Sequence, residues 1–309
     1  MKRIIIMTVV IISIPFLVVS NWKEEEKELK EISLEYLSSR LVRIKRSNGD
    51  IDNVPLEEYV VGVISGEMPA SFHEEALKAQ SVASRTYVLK KILSNKNSDY
   101  DVVDTVNNQV YLDDDELKVR WGDNYSKYNK KVRDAVNDTR GEYLEYNGEV
   151  ITAMYFSTSN GYTEDSGVAF ETSLPYLKSV ESSYDETVAK TFYATNSMSL
   201  QEFYEKLGIK YSNEFLFEVL ERSSSNRIMR LKINGIEFKC KDIYDKLRLR
   251  SCDFDFVQVG NNIEIKTKGY GHGVGMSQYG AQGMAKKGYN YEEILKYYYT
   301  GIDLVKLDK

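Results

Sequence analysis

The sequence predicts an α+β fold of mixed helices and antiparallel strands with an inserted second lobe, preceded by one N-terminal transmembrane helix. Three observations carry this. A stretch from Ser71 to Lys91 holds neither Gly nor Pro and spaces Ala76, Ala79 and Ala83 at helical intervals. Alternating apolar segments flank turn signals at Asn147-Gly148, Asn234-Gly235 and Gly260-Asn261-Asn262, which reads as antiparallel hairpins. An uncharged run, Ile4 to Ser20, follows the basic Met1-Lys2-Arg3. It has the length of a short membrane span, and Asn21 and Trp22 suit the interface.

Residues 1–3 are therefore expected on the cytoplasmic side, 4–20 as the anchor and 21–40 as a juxtamembrane helix or stalk. The basic flank places the remaining chain outside the cytoplasm. A cleavable signal peptide is the competing reading, but no clear A-x-A site follows the apolar run. Residues 41–309 form the main domain, with a composition change over about 182–256 marking the inserted lobe.

Within that domain Leu41 to Lys45 alternates like a strand, and Ser47 to Asp50 is a turn. Residues 54–64 read as a short helix leading to Glu67. Ser71 and Glu74 have the S-x-x-E spacing of a capping box, opening the helix to Lys91. Lys78, Ser81 and Arg85 share one stripe of that helix. Residues 97–110 are polar and loop-like. Asp113 to Thr139 reads as helices broken near Gly122. Glu142 to Tyr155 is a hairpin and Ser157 to Glu164 a polar loop. Later come a helix from Ser199 to Leu207, a strand pair about Asn234-Gly235, and a hairpin over 253–267. A helix starts near Ser277, and a Tyr-rich helix runs over 289–299.

The formal net charge is -6, which argues against a nucleic-acid binder. The 24 tyrosines suit sugar surfaces as well as ordinary cores. Cys240 and Cys252 are the only cysteines. An extracytoplasmic location permits them to pair, but a helix over 241–249 would hold its ends too far apart, which weighs against a disulfide. His73 and His272 lie far apart, and no Cys/His spacing suits zinc.

Two stretches carry chemistry. Glu67 is a lone acid just ahead of a rigid helix, with cations along one helical stripe. Gly269, Gly271, Gly273 and Gly275 bracket Tyr270 and His272, leaving room for close approach by a ligand or another element. The spacing is not that of a dinucleotide fingerprint, and Ser277 has no G-x-S-x-G context.

GEMPASFHEEALKAQSVASRTY at 66–87 and GYGHGVGMSQYGAQGMA at 269–285 together resemble the SpoIID/LytB family, over roughly residues 40 to 303. The resemblance implies a membrane-anchored lytic transglycosylase that cleaves peptidoglycan strands during spore engulfment. Glu67 matches the family's catalytic acid. Lys78, Arg85, Tyr270, His272, Ser277 and Gln278 are then expected to bind substrate. Many relatives carry H-S-T-C-G-G where this chain has Phe156-Ser157-Thr158-Ser159-Asn160-Gly161, so both potential zinc ligands are missing and no metal or cofactor is expected. The implied partners are an amidase that removes stem peptides and that amidase's membrane anchor protein.

One acid suffices when the substrate brings its own nucleophile, here the muramyl 6-hydroxyl closing a 1,6-anhydro ring. Two-carboxylate hydrolysis would instead need Glu164 or Asp165 beside Glu67. A non-catalytic enhancer of an amidase and a purely structural bridge are the other readings.

Overall fold

The computed structural model describes residues 41–307 apart from 96 and 171. The expected anchor at 4–20 and stalk at 21–40 lie outside the described residues. Among the described residues no helix is long and apolar enough to cross a membrane.

Strand β1 (Leu41–Lys45) pairs antiparallel with β2 (Ile51–Pro55), and Gly49 takes a φ of 96° in the turn between them. Helix α1 (Leu56–Glu67) follows directly, with Glu57 and Glu58 complementing its N-terminal dipole. Helix α2 (Glu74–Ser94) begins later than the expected capping box. Its N-cap is His73, whose Nδ1 accepts the Glu75 N–H; Ser71 lies in a turn before it. Strand β3 (Val102–Val103) joins β1 in parallel. Helices α3 (Asp114–Trp121) and α4 (Tyr125–Asp138) flank a 3-10 turn at Gly122–Asn124, where the sequence places the break.

Helix α2 is the centre of the main domain. Tyr59, Ile64, Leu77, Leu89 and Val132 pack in a core shared by α1, α2 and α4. Ala76, Ala79 and Ala83 of the same helix face a second core with Ala281, Met284 and Leu295. A helix buried on two sides has no broad polar face, which is why α2 reads as helical by propensity and spacing rather than by amphipathicity. The second core is completed by β4 (Glu142–Tyr146), α9 (Gln278–Lys286), α10 (Tyr291–Tyr298) and β14 (Asp303–Lys306), which pairs with β4; β5 (Glu149–Val150) pairs with β4 on its other edge. Short α5 (Ser166–Phe170) and α6 (Tyr184–Val188) cover its flank. Strand β6 (Tyr155–Phe156) pairs in parallel with β13 (Met276–Ser277). This pairing brings the glycine-rich stretch to the start of the 157–164 loop.

A third core is built from Phe203, Leu231, Ile243, Phe256 and Ile263. Its two sheets are β11 (Phe254–Val259), β12 (Asn262–Lys268) and β7 (Tyr193–Ser199), and β10 (Ile236–Lys239), β9 (Ile228–Ile233) and β8 (Phe217–Arg222). Helices α7 (Leu200–Leu207) and α8 (Cys240–Leu247) pack with them. The lobe runs to Lys268 because β12 pairs with both β11 and β7, further than the composition change implies.

The cysteine expectation is corrected. Cys240 and Cys252 form a disulfide with a Cα–Cα distance of 6.0 Å. Helix α8 stops at Leu247, and Arg248 enters the left-handed region at a φ of 52°. The chain reverses there, so the span between the cysteines is not one extended helix. Replacing both cysteines by Ser is expected to cost about 3 kcal/mol, as loss of such a cross-link does. The difference in urea midpoint between the oxidised protein and this variant checks it.

Candidate active site

Glu67 is the last residue of α1 and is half-buried. Its Oε1 accepts the Val110 N–H at 2.7 Å. The Tyr155 hydroxyl is near enough to the carboxyl to favour its charged form. Burial raises the carboxyl pKa above its usual range, while the Val110 N–H bond and the nearby Tyr155 hydroxyl pull it partly back.

The Tyr155 hydroxyl is oriented from behind. Gln109 Nε2 lies 2.9 Å from the Tyr155 oxygen and faces the Ser84 carbonyl at 3.5 Å. The buried Tyr59 hydroxyl lies 3.0 Å from Gln109 Oε1. An amide nitrogen only donates, so Tyr155 accepts from Gln109 and its own hydrogen is free for Glu67. The 108–112 loop reaches Glu67 because α1 carries glycines where the loop crosses. A Cβ on Gly62 would strike the Tyr111 ring, and one on Gly66 the Val110 carbonyl.

The second stretch meets this site through one residue. His272 Nε2 lies 3.1 Å from the Tyr155 carbonyl, and its Nδ1 accepts the Val274 N–H at 3.1 Å. These bonds select the neutral ring with its proton on Nε2. Packing against Phe156 and Phe170 lowers the imidazole pKa to about 4, although the residue as a whole is exposed to solvent. Tyr155 thus offers its hydroxyl to Glu67 and its carbonyl to His272. Tyr270 is exposed and is held to Thr158 by paired backbone bonds of 3.0 and 2.7 Å.

Four expected substrate contacts take other roles. Arg85 is fully buried, with Nη2 2.6 Å and Nε 3.0 Å from the two Glu57 oxygens and Nη1 on the Glu142 carbonyl. Lys78 pairs with Glu75 at 3.2 Å and Asp138 at 3.0 Å. The stripe through Lys78 and Arg85 faces α4 and β4; the stripe through Gln80 and Ser84 faces the Glu67 side. Ser277 is buried, caps α9 through the Gly280 N–H and donates to Asp185. Gln278 is buried with Nε2 3.5 Å from Gln80 Oε1.

Among the described residues no second acid is seen beside Glu67. Glu164 is buried and accepts from the Ser223 and Ser225 hydroxyls; Asp165 binds Lys178 at 3.0 Å and the Gly167 N–H. Among the described residues no group of three His, Cys, Asp or Glu side chains is arranged to hold a metal. At the departing hexapeptide, Phe156 packs on His272 and the Ser159 hydroxyl binds the Ser182 carbonyl.

Sequence reasoning missed Val110, Gln109 and Tyr155. Only the Gly62-x-x-x-Gly66 spacing hinted that something lies against that face of α1.

A family model described as SpoIID, stage II sporulation protein, matches residues 45–146. Stage II sporulation protein D of Bacillus amyloliquefaciens is 42% identical over 269 residues, covering 85% of this chain and 78% of that protein. The same protein of Bacillus subtilis (strain 168) gives the same values. The chain belongs to the stage II sporulation protein D family. The segment matched by the family model holds Glu67 and Val110, whereas Tyr155 and His272 lie beyond it. An amidase enhancer of Bacillus subtilis (strain 168) is also similar to this family member, at 31% identity over 79% of this chain and 40% of that protein.

Proposed function

We propose that the chain is a lytic transglycosylase that cleaves the MurNAc–GlcNAc bond of stem-peptide-free glycan strands in the sporulating cell wall. The observation that carries this is a single partly buried acid with raised pKa, fixed from one side and without a second carboxylate among the described residues. Val110 occupies Oε1, so the transferable proton belongs on Oε2. Glu67 gives that proton to the glycosidic oxygen as the bond from C1 breaks. The resulting carboxylate takes the proton of the muramyl 6-hydroxyl as its oxygen closes on C1. The ring closure consumes no water and returns Glu67 to its protonated form. Neutral His272 and exposed Tyr270 line the wall on which the strand lies. Products whose new ends lack one water, read by mass spectrometry, support this reading; hydrated ends would overturn it.

In this reading residues 4–20 anchor the chain, with the catalytic domain on the extracytoplasmic face. The Cys240–Cys252 bond supports that placement, since disulfides persist in oxidising compartments. An amidase that strips stem peptides, held by its own membrane anchor protein, would work beside it.

Tyr155→Phe removes a donor that favours the Glu67 carboxylate. The pKa of Glu67 rises further, so the acid form persists to higher pH. The alkaline limb of the kcat/KM profile is expected to move to higher pH; an unmoved limb would count against the Tyr155 assignment.

Similarity to an amidase enhancer favours one second reading, a glycan binder that stimulates an amidase without cutting. Purified strands incubated with the protein alone separate the two, because an enhancer leaves no new ends.

A further inference from the structure

Most arginines of the chain whose side chains are held by the fold face a carboxylate. Arg43 meets Asp101, Arg46 meets Glu116, Arg85 meets Glu57, Arg133 meets Glu58 and Arg222 meets Asp253. Arg250 is held as firmly but has no such partner among the described residues. Its guanidinium carbon lies 4.4 Å from the centre of the Tyr270 ring, and Nη2 lies 3.3 Å from the Thr191 carbonyl. Its Nε is buried without an acceptor. Its own carbonyl accepts the Gly271 N–H at 2.8 Å, and it sits two residues before the disulfide-bonded Cys252. The backbone is pinned, the guanidinium is held over the tyrosine ring, and no carboxylate of the described residues pairs with its charge. A stacked guanidinium is well suited to a planar carboxylate.

The location narrows the ligand. Tyr270 is tied to Thr158, three residues beyond Tyr155, which spans at most about 10 Å of chain. Arg250 is therefore joined to the Glu67 site through Tyr270 and the short segment from Thr158 back to Tyr155. We propose that Arg250, stacked on Tyr270, is a subsite for a sugar carboxylate of the strand: the lactyl carboxylate of a muramyl residue that has lost its stem peptide. The assignment rests on reading Glu67 as a glycan-cleaving site. An intact stem peptide turns that carboxylate into an amide, so the subsite distinguishes stripped from unstripped strands.

The test is equilibrium binding of the full chain carrying Glu67→Gln, which holds strands without cutting them. Three strands are compared: free lactyl acid, lactyl groups capped as methylamide, and strands bearing peptides. The free acid is expected to bind about tenfold tighter than the methylamide, the scale of one charge-assisted contact. Adding Arg250→Gln removes the preference, and Arg250→Lys retains part of it with an unchanged melting temperature. Equal binding of free acid and methylamide overturns the subsite even if the Gln variant fails to fold. So does tightest binding of peptide-bearing strands, which would assign Arg250 to a peptide carboxylate. Wild-type protein is assayed in parallel for anhydro ends. Lost ends with a kept preference remove the lytic reading and leave the subsite; kept ends with no preference do the reverse.

Discussion

Glu67→Gln is expected to lower the rate of the proposed strand cleavage by about 10³-fold, the range lost with a general acid, while the protein stays folded. The amide oxygen still accepts the Val110 N–H, so the loop geometry survives and only the proton is removed. The same variant carries a stability signature. The folded pKa of Glu67 is raised, with burial as the leading cause. A carboxyl with a raised folded pKa contributes stability that is full below its unfolded value and is lost as pH rises through the folded value. Gln carries no such dependence. Melting curves are therefore expected to show Glu67→Gln gaining stability over wild type as pH rises from the ordinary carboxylate range to neutrality. Anhydro ends appearing at the wild-type rate would remove Glu67 from the mechanism. A pH-independent difference in melting temperature would remove the burial argument.

Arg85→Met is expected to cost about 3–5 kcal/mol of folding stability, as breaking one side of a buried pair does. The arginine is fully enclosed and its partner Glu57 is mostly covered. After the substitution Glu57 keeps only the Gly141 N–H at 3.1 Å. Urea unfolding measures the loss directly. Adding Glu57→Gln should recover part of it, because the stranded charge disappears with it. Protein that remains folded should show a KM close to wild type. A raised KM with unchanged stability would return Arg85 to the substrate groove.

These two outcomes separate residues that sit eighteen positions apart in one conspicuous sequence block. In the chain they look equivalent, an acid and a cation around a shared helix. In the fold Glu67 ends α1 and stays partly exposed, whereas Arg85 is fully buried between α4 and β4. Helical spacing correctly placed Lys78 and Arg85 on one stripe, but spacing carries no information on which stripe faces the substrate. Ser84, one step around the same helix, is the one turned toward Gln109 and Tyr155.

The local features of this protein were determined by the sequence by itself. The first strand, the Asn-Gly turns, the break at Gly122, the Ser277 start of α9 and the lone acid Glu67 all depend on residues within a turn or two of each other. What only the tertiary structure decided are the pairings across distance. Val110 lies 43 residues from Glu67 in sequence, His272 meets Tyr155 from 117 residues away, and the left-handed turn at Arg248 lets Cys240 reach Cys252. Such contacts are selected by how whole faces of helices and sheets bury against one another, and no short window of sequence contains both partners.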